Sequence, residues 1–377
     1  MGAGVDKIRA IAFYLPQYHP IPENDQWWGK GFTEWTNVAK ARPLFKGHYQ
    51  PHVPANLGFY DLRLNEARVA QADLAKQYGV EGFCYWHYWF GNGKRLLERP
   101  FNEVLSSGSP NFPFCIGWAN ESWSGIWHGN PSKILIEQTY PGKQDYIDHF
   151  NYLLTAFLDE RYIKVDDKPL FFIYSPDKIP DLIGFTDLFR KLATENGLKG
   201  LYIVANTSDE EWDPKLNGCD AVNLNLLGNL YHKIPNSKHY LYKKLRNQLH
   251  KSGLAYHFHK WIKRPLRLYK YAEAIPFLTR AKNKDFESFP CIVPNWDNSP
   301  RSGLNGLILR ESTPELFRIH LRDNINLVKN SDPQKRIIFL KSWNEWAEGN
   351  HLEPDLKFGL QYLEVLQEEI YGHDQGI

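Results

Sequence analysis

The chain has 377 residues, 42% of them hydrophobic and 15% aromatic, with 13 Trp, 21 Tyr and a formal net charge of +2. That length gives two average domains or one barrel with long loops, and no apolar run approaches the ~18 residues of a membrane span. Four cysteines without a Cys-x-x-Cys exclude a disulfide-framed small fold and argue against a zinc or thioredoxin-type motif, leaving Cys84, Cys115, Cys219 and Cys291 as ordinary, mostly buried thiols.

In chain order, short apolar runs recur at Ile8–Leu15, Gly82–Trp86, Phe114–Trp118, Leu170–Tyr174, Leu201–Asn206, Ala221–Leu224, Cys291–Trp296 and Ile337–Leu340. Continuous rather than alternating apolar character predicts parallel strands buried on both faces. Helical periodicity lies between them at Leu62–Tyr78, Gln144–Leu158, Ile183–Glu195, Leu241–His250 and Pro314–Val328, the last with Pro314 at a helix start and Ser312 or Thr313 as its cap. Eight strands alternating with helices predict an α/β fold, a (β/α)8 TIM barrel; an open doubly wound sheet is the alternative. No glycine-rich phosphate loop follows any strand, which weakens a nucleotide-binding version.

Two insertions interrupt the pattern. Residues 16–60 follow the first strand with little helical periodicity and many Pro, Gly, Trp and His, and a loop that long is usually functional. The second follows strand six. From Ala221 to Ala272 there are eleven Lys/Arg and no Asp or Glu, while the rest of the chain carries 34 basic against 43 acidic residues. A near-neutral total therefore hides a basic block in an acidic body. With no linker, low-complexity tract or repeat, residues 1–377 are expected to form one catalytic barrel domain, with residues 229–270 as a basic insertion. The N-terminal residues carry no secretory apolar region, so a cytoplasmic protein, in contact with a membrane surface at most, is expected.

Polar and aromatic clusters sit just after the strands: Tyr14, Gln17 and His19; Trp86, His87 and Tyr88; Trp118, Asn120, Glu121 and Trp123; Asn206; Asn223; Trp296, Asp297 and Arg301; and Lys341, Trp343, Asn344, Glu345 and Glu348. In a barrel these positions share the rim that carries the active site. Trp beside Asn and paired Glu fits glycosidic bond chemistry, in which two carboxyl groups flank the scissile bond. Glu345 and Glu348 are the leading pair, since a turn after Leu340 brings positions three apart to one side. Trp343 and Trp346 would then limit water and raise the pKa of the acid. Glu121 with Glu345 is the competing pair. His19, His48, His52, His87 and His128 lack His-Glu-x-x-His spacing, and no metal or other cofactor is expected.

At these residues the sequence resembles a known family. Ser342-Trp343-Asn344-Glu345-Trp346-Ala347-Glu348-Gly349-Asn350-His351-Leu352-Glu353-Pro354 is similar to the catalytic segment of glycoside hydrolase family 99, the endo-α-mannosidases. Tyr14-Leu15-Pro16-Gln17-Tyr18-His19-Pro20-Ile21-Pro22-Glu23-Asn24 and Trp27-Trp28-Gly29-Lys30-Gly31-Phe32-Thr33-Glu34-Trp35 resemble the family-99-like WbsX family of bacterial polysaccharide loci. The resemblance runs from Ile8 to about Tyr362. It implies a barrel without a metal requirement and adds Trp35 to the residues expected to meet the sugar. It also implies that Glu345 assists the sugar 2-hydroxyl in attacking its own anomeric carbon, through a 1,2-anhydro sugar, while Glu348 protonates the leaving oxygen. Ala347 departs from the pattern, because those mannosidases carry a histidine there.

The expected activity is therefore a retaining glycoside hydrolase or transglycosylase acting on α-linked mannose-like or 6-deoxy sugars of a bacterial surface polysaccharide. The alternatives are a glycosyltransferase of lipopolysaccharide or rhamnan biosynthesis and a non-catalytic polysaccharide-binding protein. The partner is an oligosaccharide or polysaccharide. An anionic membrane surface or a lipid-linked glycan is a further expected partner of residues 229–270, and no nucleic acid is expected.

Overall fold

The computed structural model describes residues 8–125, 130–234, 238–251, 266–279 and 285–372. Eight strands, β1 (Arg9–Tyr14), β2 (Val80–Trp89), β3 (Phe114–Trp118), β4 (Lys168–Ile173), β5 (Tyr202–Thr207), β6 (Ala221–Leu224), β7 (Ser288–Ile292) and β8 (Ile337–Leu340), pair in parallel in chain order. The ring closes where β1 pairs with β8, Arg9 opposite Ile337. Every predicted strand is present, so the fold is a (β/α)8 barrel. Strand β7 sits earlier than the apolar run suggests. Pro294 has no N–H for a ladder, so pairing stops at Ile292 and Asn295–Asp297 fall on the rim.

Among the described residues, the helices of seven or more residues are α1 (Pro22–Trp28), α2 (Glu34–Lys40), α3 (Asn65–Gln77), α4 (Arg99–Ser107), α5 (Lys143–Phe157), α6 (Leu182–Glu195), α7 (Lys238–Lys251), α8 (Tyr271–Leu278), α9 (Pro314–Val328) and α10 (Gln361–Tyr371). Helix α9 starts where Pro314 predicts, and the Thr313 side chain, not Ser312, accepts from Leu316 N–H. The first insertion is not irregular throughout, since it contains α1 and α2. Each has seven residues, too few turns to leave a periodic stripe.

Inside the barrel, Phe13 stacks on Trp86 at 4.6 Å and on Phe339 at 5.3 Å, and Phe172 meets Phe13 edge-on at 4.8 Å. This aromatic plug is a packed core rather than a pore. Gly117 on β3 makes room for it: a Cβ there would lie 3.0 Å from the Trp86 ring and 3.1 Å from Cys84 Sγ. All four cysteines are free and buried.

Of the basic insertion, the described parts are the stretch up to Ile234, α7 and residues 266–270; His128, one of the histidines weighed above as a metal ligand, lies outside the described residues, as do His257 and His259 of the insertion. Arg267–Lys270 pairs in parallel with Leu307–Arg310, and Tyr269, Tyr271 and Ile275 join Leu230, Val293 and Trp296 in a second apolar cluster. The insertion's C-terminal part is thus packed against the rim beside β7. No helix among the described residues is long and apolar enough to cross a membrane.

Candidate active site

The segment expected to be catalytic follows β8. Asn344–Glu345 pairs antiparallel with Asn350–His351, and a single 3-10 turn, Trp346–Glu348, joins them. The turn brings Glu345 and Glu348 to one side, as their spacing predicts. Its backbone is held from several directions. Ser342 Oγ accepts from Asn344 N–H (3.1 Å) and Glu345 N–H (2.9 Å). The Tyr18 hydroxyl donates to the Asn344 carbonyl and accepts from Trp346 N–H. Asn344 Oδ1 accepts from Leu15 N–H (2.7 Å) and its Nδ2 donates to Leu15 O (3.0 Å), stitching the turn to the end of β1. Gly349 closes the turn at φ +54°, and a Cβ there would lie 2.9 Å from Asp297 Cβ.

Arg301, in a short turn after β7, is the hub. Its Nη2 donates to Glu345 (2.9 Å), its Nη1 to Glu348 (2.7 Å) and its Nε to Glu34 (3.1 Å) at the start of α2. Three carboxylates around one guanidinium leave an excess of negative charge in a site where Glu34 is fully buried. One proton taken up by the group relieves it. Burial pushes Glu345 up to about 7, with Arg301 pulling down and Glu348 and Glu34 pushing further up.

Asp297 positions this hub without entering the cleft. Its Oδ2 accepts from His48 Nε2 (2.6 Å) and Gln50 Nε2 (2.7 Å), its Oδ1 accepts from Ser299 N–H (3.0 Å), and its own N–H donates to the Glu348 carbonyl (2.6 Å). His48 Nδ1 accepts from Leu44 N–H, so its Nε2 carries the proton. Burial alone would raise the Asp297 carboxyl, but these hydrogen bonds outweigh it and hold it below the usual range.

Glu345 and Glu348 open into a cleft of about 350 Å³, a normal size for a ligand site. Trp86 and Tyr88 come from β2, Trp28 from α1, Trp123 from a hairpin after β3, and Tyr174, Trp296 and Lys341 from other strand ends. An adjoining compartment of about 560 Å³ shares Glu121, Tyr174, Trp296 and Lys341, and adds Lys178, Asn206 and Arg267. Lys341 Nζ stands 5.5 Å over the Trp296 ring. Burial opposes the Lys341 charge, but Tyr174, Cys291, Glu348 and Glu345 nearby outweigh it and raise its pKa.

Of the residues expected at the site or on its rim, Gln17, Trp86, Tyr88, Glu121, Trp123, Trp296, Arg301, Lys341, Glu345 and Glu348 line the cleft, and Asn206 lines the adjoining compartment. The others do not line either. Strand parity sends His87 outward to His149 (3.0 Å), and Trp118 outward to His149 and Phe185. Tyr14 donates to Gln71 behind the catalytic segment, and His19 Nδ1 meets Pro16 O. Trp35 packs on Tyr18 and Trp346. Asn120 braces the Ser175 backbone, while Trp343 and Asn344 are fully buried. The competing carboxyl, Glu121, accepts from Ser175 Oγ and from Lys178 Nζ. Glu34 and Trp28 were not expected at the site, and Tyr88, Trp123 and Arg301 were visible only as rim residues. Position on the correct strand face would have separated Tyr88 from His87.

The family model described as "Glycosyltransferase WbsX" matches residues 10–366. The chain belongs to the WbsX family. It is 35% identical over 361 residues to the uncharacterized protein WxcX of Xanthomonas campestris pv. campestris, covering 96% of this chain and 49% of that one, so it spans about half the length of the curated relatives it matches. Among solved structures, the endo-alpha-mannosidase of glycoside hydrolase family 99 from Bacteroides thetaiotaomicron is similar, with a TM-score of 0.58 at 15% identity over 97% of both chains. A "glycoside hydrolase-like protein" follows at 0.57 and 17% identity, over 98% of this chain and 97% of that one. These two likenesses are of fold.

Proposed function

We propose that this WbsX-family chain is a carbohydrate-active enzyme that cleaves or transfers an α-linked mannose-like or 6-deoxy sugar of a bacterial surface polysaccharide, with retention of configuration. The observation that carries this reading is the convergence of Glu345 and Glu348, from one turn and on one guanidinium, at the wall of an aromatic cleft. Two carboxyl groups beside stacking surfaces are what glycosidic chemistry uses.

Glu345, pushed up to about 7 by burial, is basic enough to take the proton of a sugar 2-hydroxyl near neutral pH. The freed oxygen attacks its own anomeric carbon, and the glycosidic bond breaks. Glu348 gives a proton to the departing oxygen, then takes one from the water or acceptor hydroxyl that opens the 1,2-anhydro ring, while Glu345 returns its proton to the 2-oxygen. Gln17 Nε2 is buried in the cleft wall without a protein hydrogen-bond partner, a donor available to a sugar hydroxyl.

A second reading, transfer to an acceptor glycan or from a lipid-linked donor, is favoured by two observations. The adjoining compartment has room for a second sugar and is lined by Lys178, Arg267 and Lys341. Helix α7, which has no acidic residue, exposes Leu241 and Leu245, an arrangement suited to an anionic membrane surface. Incubation with mannan, rhamnan and cognate O-polysaccharide, with and without acceptor, tests both readings through product mass and anomeric NMR. A new reducing end with retained configuration supports hydrolysis, and an elongated glycan supports transglycosylation. Turnover that requires a nucleotide-activated or lipid-linked donor favours the transferase reading, and unaltered but bound glycan points to a binding protein.

A further inference from the structure

His52, in the first insertion, and His351, at the end of the catalytic ribbon, are 299 residues apart in sequence, yet His52 Nδ1 lies 2.9 Å from His351 Nε2. Asp355 completes a buried trio in which one ligand atom of each residue lies within 4.8 Å of the others. Spacing along the chain gives no hint of this group.

The protonation states follow from the hydrogen bonds. His351 Nδ1 is 2.8 Å from the Glu353 carbonyl, which only accepts, so Nδ1 holds the proton and Nε2 turns its lone pair toward His52. Both rings are buried, an environment that disfavours a charged imidazole. Asp355 is fixed by Lys357 N–H (2.9 Å) and Phe358 N–H (2.7 Å), which both donate to Oδ1. An imidazole that gives one N–H to a backbone carbonyl while its other nitrogen faces a second imidazole and a carboxylate is the usual arrangement around a protein-bound transition metal.

We propose that His52 Nδ1, His351 Nε2 and a carboxylate oxygen of Asp355 form a binding site for a divalent transition metal, Zn²⁺ by ligand type, with water in the fourth position. Bonds of about 2.0–2.1 Å set tetrahedral ligand atoms ~3.3 Å apart, so the two nitrogens separate by a few tenths of an ångström and the carboxylate closes in. No net proton is lost, because the His52 proton shifts from Nδ1 to Nε2. That ring lines a space of about 320 Å³ beside His48 and Tyr49, which gives metal and water a way in.

The ion would be structural. None of its three ligands lines the cleft that Glu345 and Glu348 enter. Its effect would reach them through the ribbon, where Asn344 pairs with His351, and through Trp346, whose ring stacks on His351 at 3.7 Å. A bound metal would tie the first insertion to the turn that carries both glutamates, whatever reaction they perform.

The test is titration of chelator-treated full-length protein with ZnCl₂ by calorimetry and thermal unfolding, with Co²⁺ as a spectroscopic probe. Wild type is expected to bind one ion per chain at micromolar metal, to gain several degrees in Tm and to show tetrahedral Co²⁺ bands. His351→Ala is expected to weaken binding at least ~100-fold. Asp355→Asn keeps an acceptor for the two backbone N–H groups, and so keeps the site testable if the histidine variant fails to fold; it too is expected to lose the ion. No uptake by wild type, or unchanged uptake and Co²⁺ bands in folded His351→Ala or Asp355→Asn, would overturn the proposal.

Discussion

Arg301 donates through Nη2 to Glu345 at 2.9 Å, across 44 residues of sequence, while its two other donors hold Glu348 and Glu34. A planar, permanently charged fork can hold three carboxylates in fixed directions, which an ammonium cannot. Arg301→Lys is therefore expected to lower kcat/KM by ~100-fold or more. Because the Arg301 charge pulls the Glu345 pKa down, Arg301→Gln, which removes that charge, should move the acidic limb of the pH–rate profile to higher pH. A profile displaced to lower pH would contradict the assignment of Glu345 as the base.

The raised pKa of Glu345 also has a sign in stability. The folded state holds this proton between the ordinary glutamate value, ~4.5, and about 7, so the group's contribution falls as pH rises through that window. Glu345→Gln mimics the protonated form. Its Tm relative to wild type should become more favourable between pH 5 and pH 7.5, and thermal melts at the two pH values check this. A constant difference would mean that Glu345 titrates as an ordinary exposed carboxyl.

Glu353 supports the Glu345–Glu348 turn from behind. It accepts from Gln71 Nε2 (2.6 Å), the Tyr60 hydroxyl (2.8 Å) and Trp346 Nε1 (2.5 Å), and burial raises its pKa to about 7. Glu353→Ala leaves three buried donors unpaired, at ~1–3 kcal/mol each. Urea unfolding should show a loss of several kcal/mol, and an effect under ~1 kcal/mol would remove Glu353 from this account.

The eight strands were legible because short β-rich apolar runs have few other uses in a chain of this composition. The turn at Glu345–Glu348 was legible because its two glutamates sit in an apolar frame. What sequence concealed was direction and distance. His87 and Trp118 stand beside rim residues in sequence but point to the helices, since neighbouring strand positions face opposite ways. Glu34 and Arg301 meet across 267 residues, and no local pattern marks either as a partner of the Glu345–Glu348 turn. The first insertion concealed two helices too short to show a period.

That outward direction can be tested. Trp118→Phe loses the Nε1 donation to Trp89 O (3.0 Å) but keeps most of the ring packing. It should lower Tm while leaving kcat and KM within about twofold. A large rise in KM with unchanged Tm would place Trp118 in the sugar site after all.

On α7, Leu241→Ser with Leu245→Ser should abolish co-sedimentation with anionic vesicles at low salt and leave barrel stability intact. Binding by wild type should require anionic lipid and fade near ~0.5 M salt as the Debye length shortens. Equal binding to neutral vesicles would remove the electrostatic part of the proposal.

The most direct measurement is turnover of the glycan identified by product analysis, compared among wild type, Glu345→Gln, Glu348→Gln and Glu121→Gln, with folding verified by circular dichroism. The account predicts that the first two variants each lose ~100-fold or more while glycan binding largely survives, and that Glu121→Gln keeps most of its activity. Near-normal turnover by Glu348→Gln with an inactive Glu121→Gln would contradict it, and would make Glu121 and Glu345 the working pair.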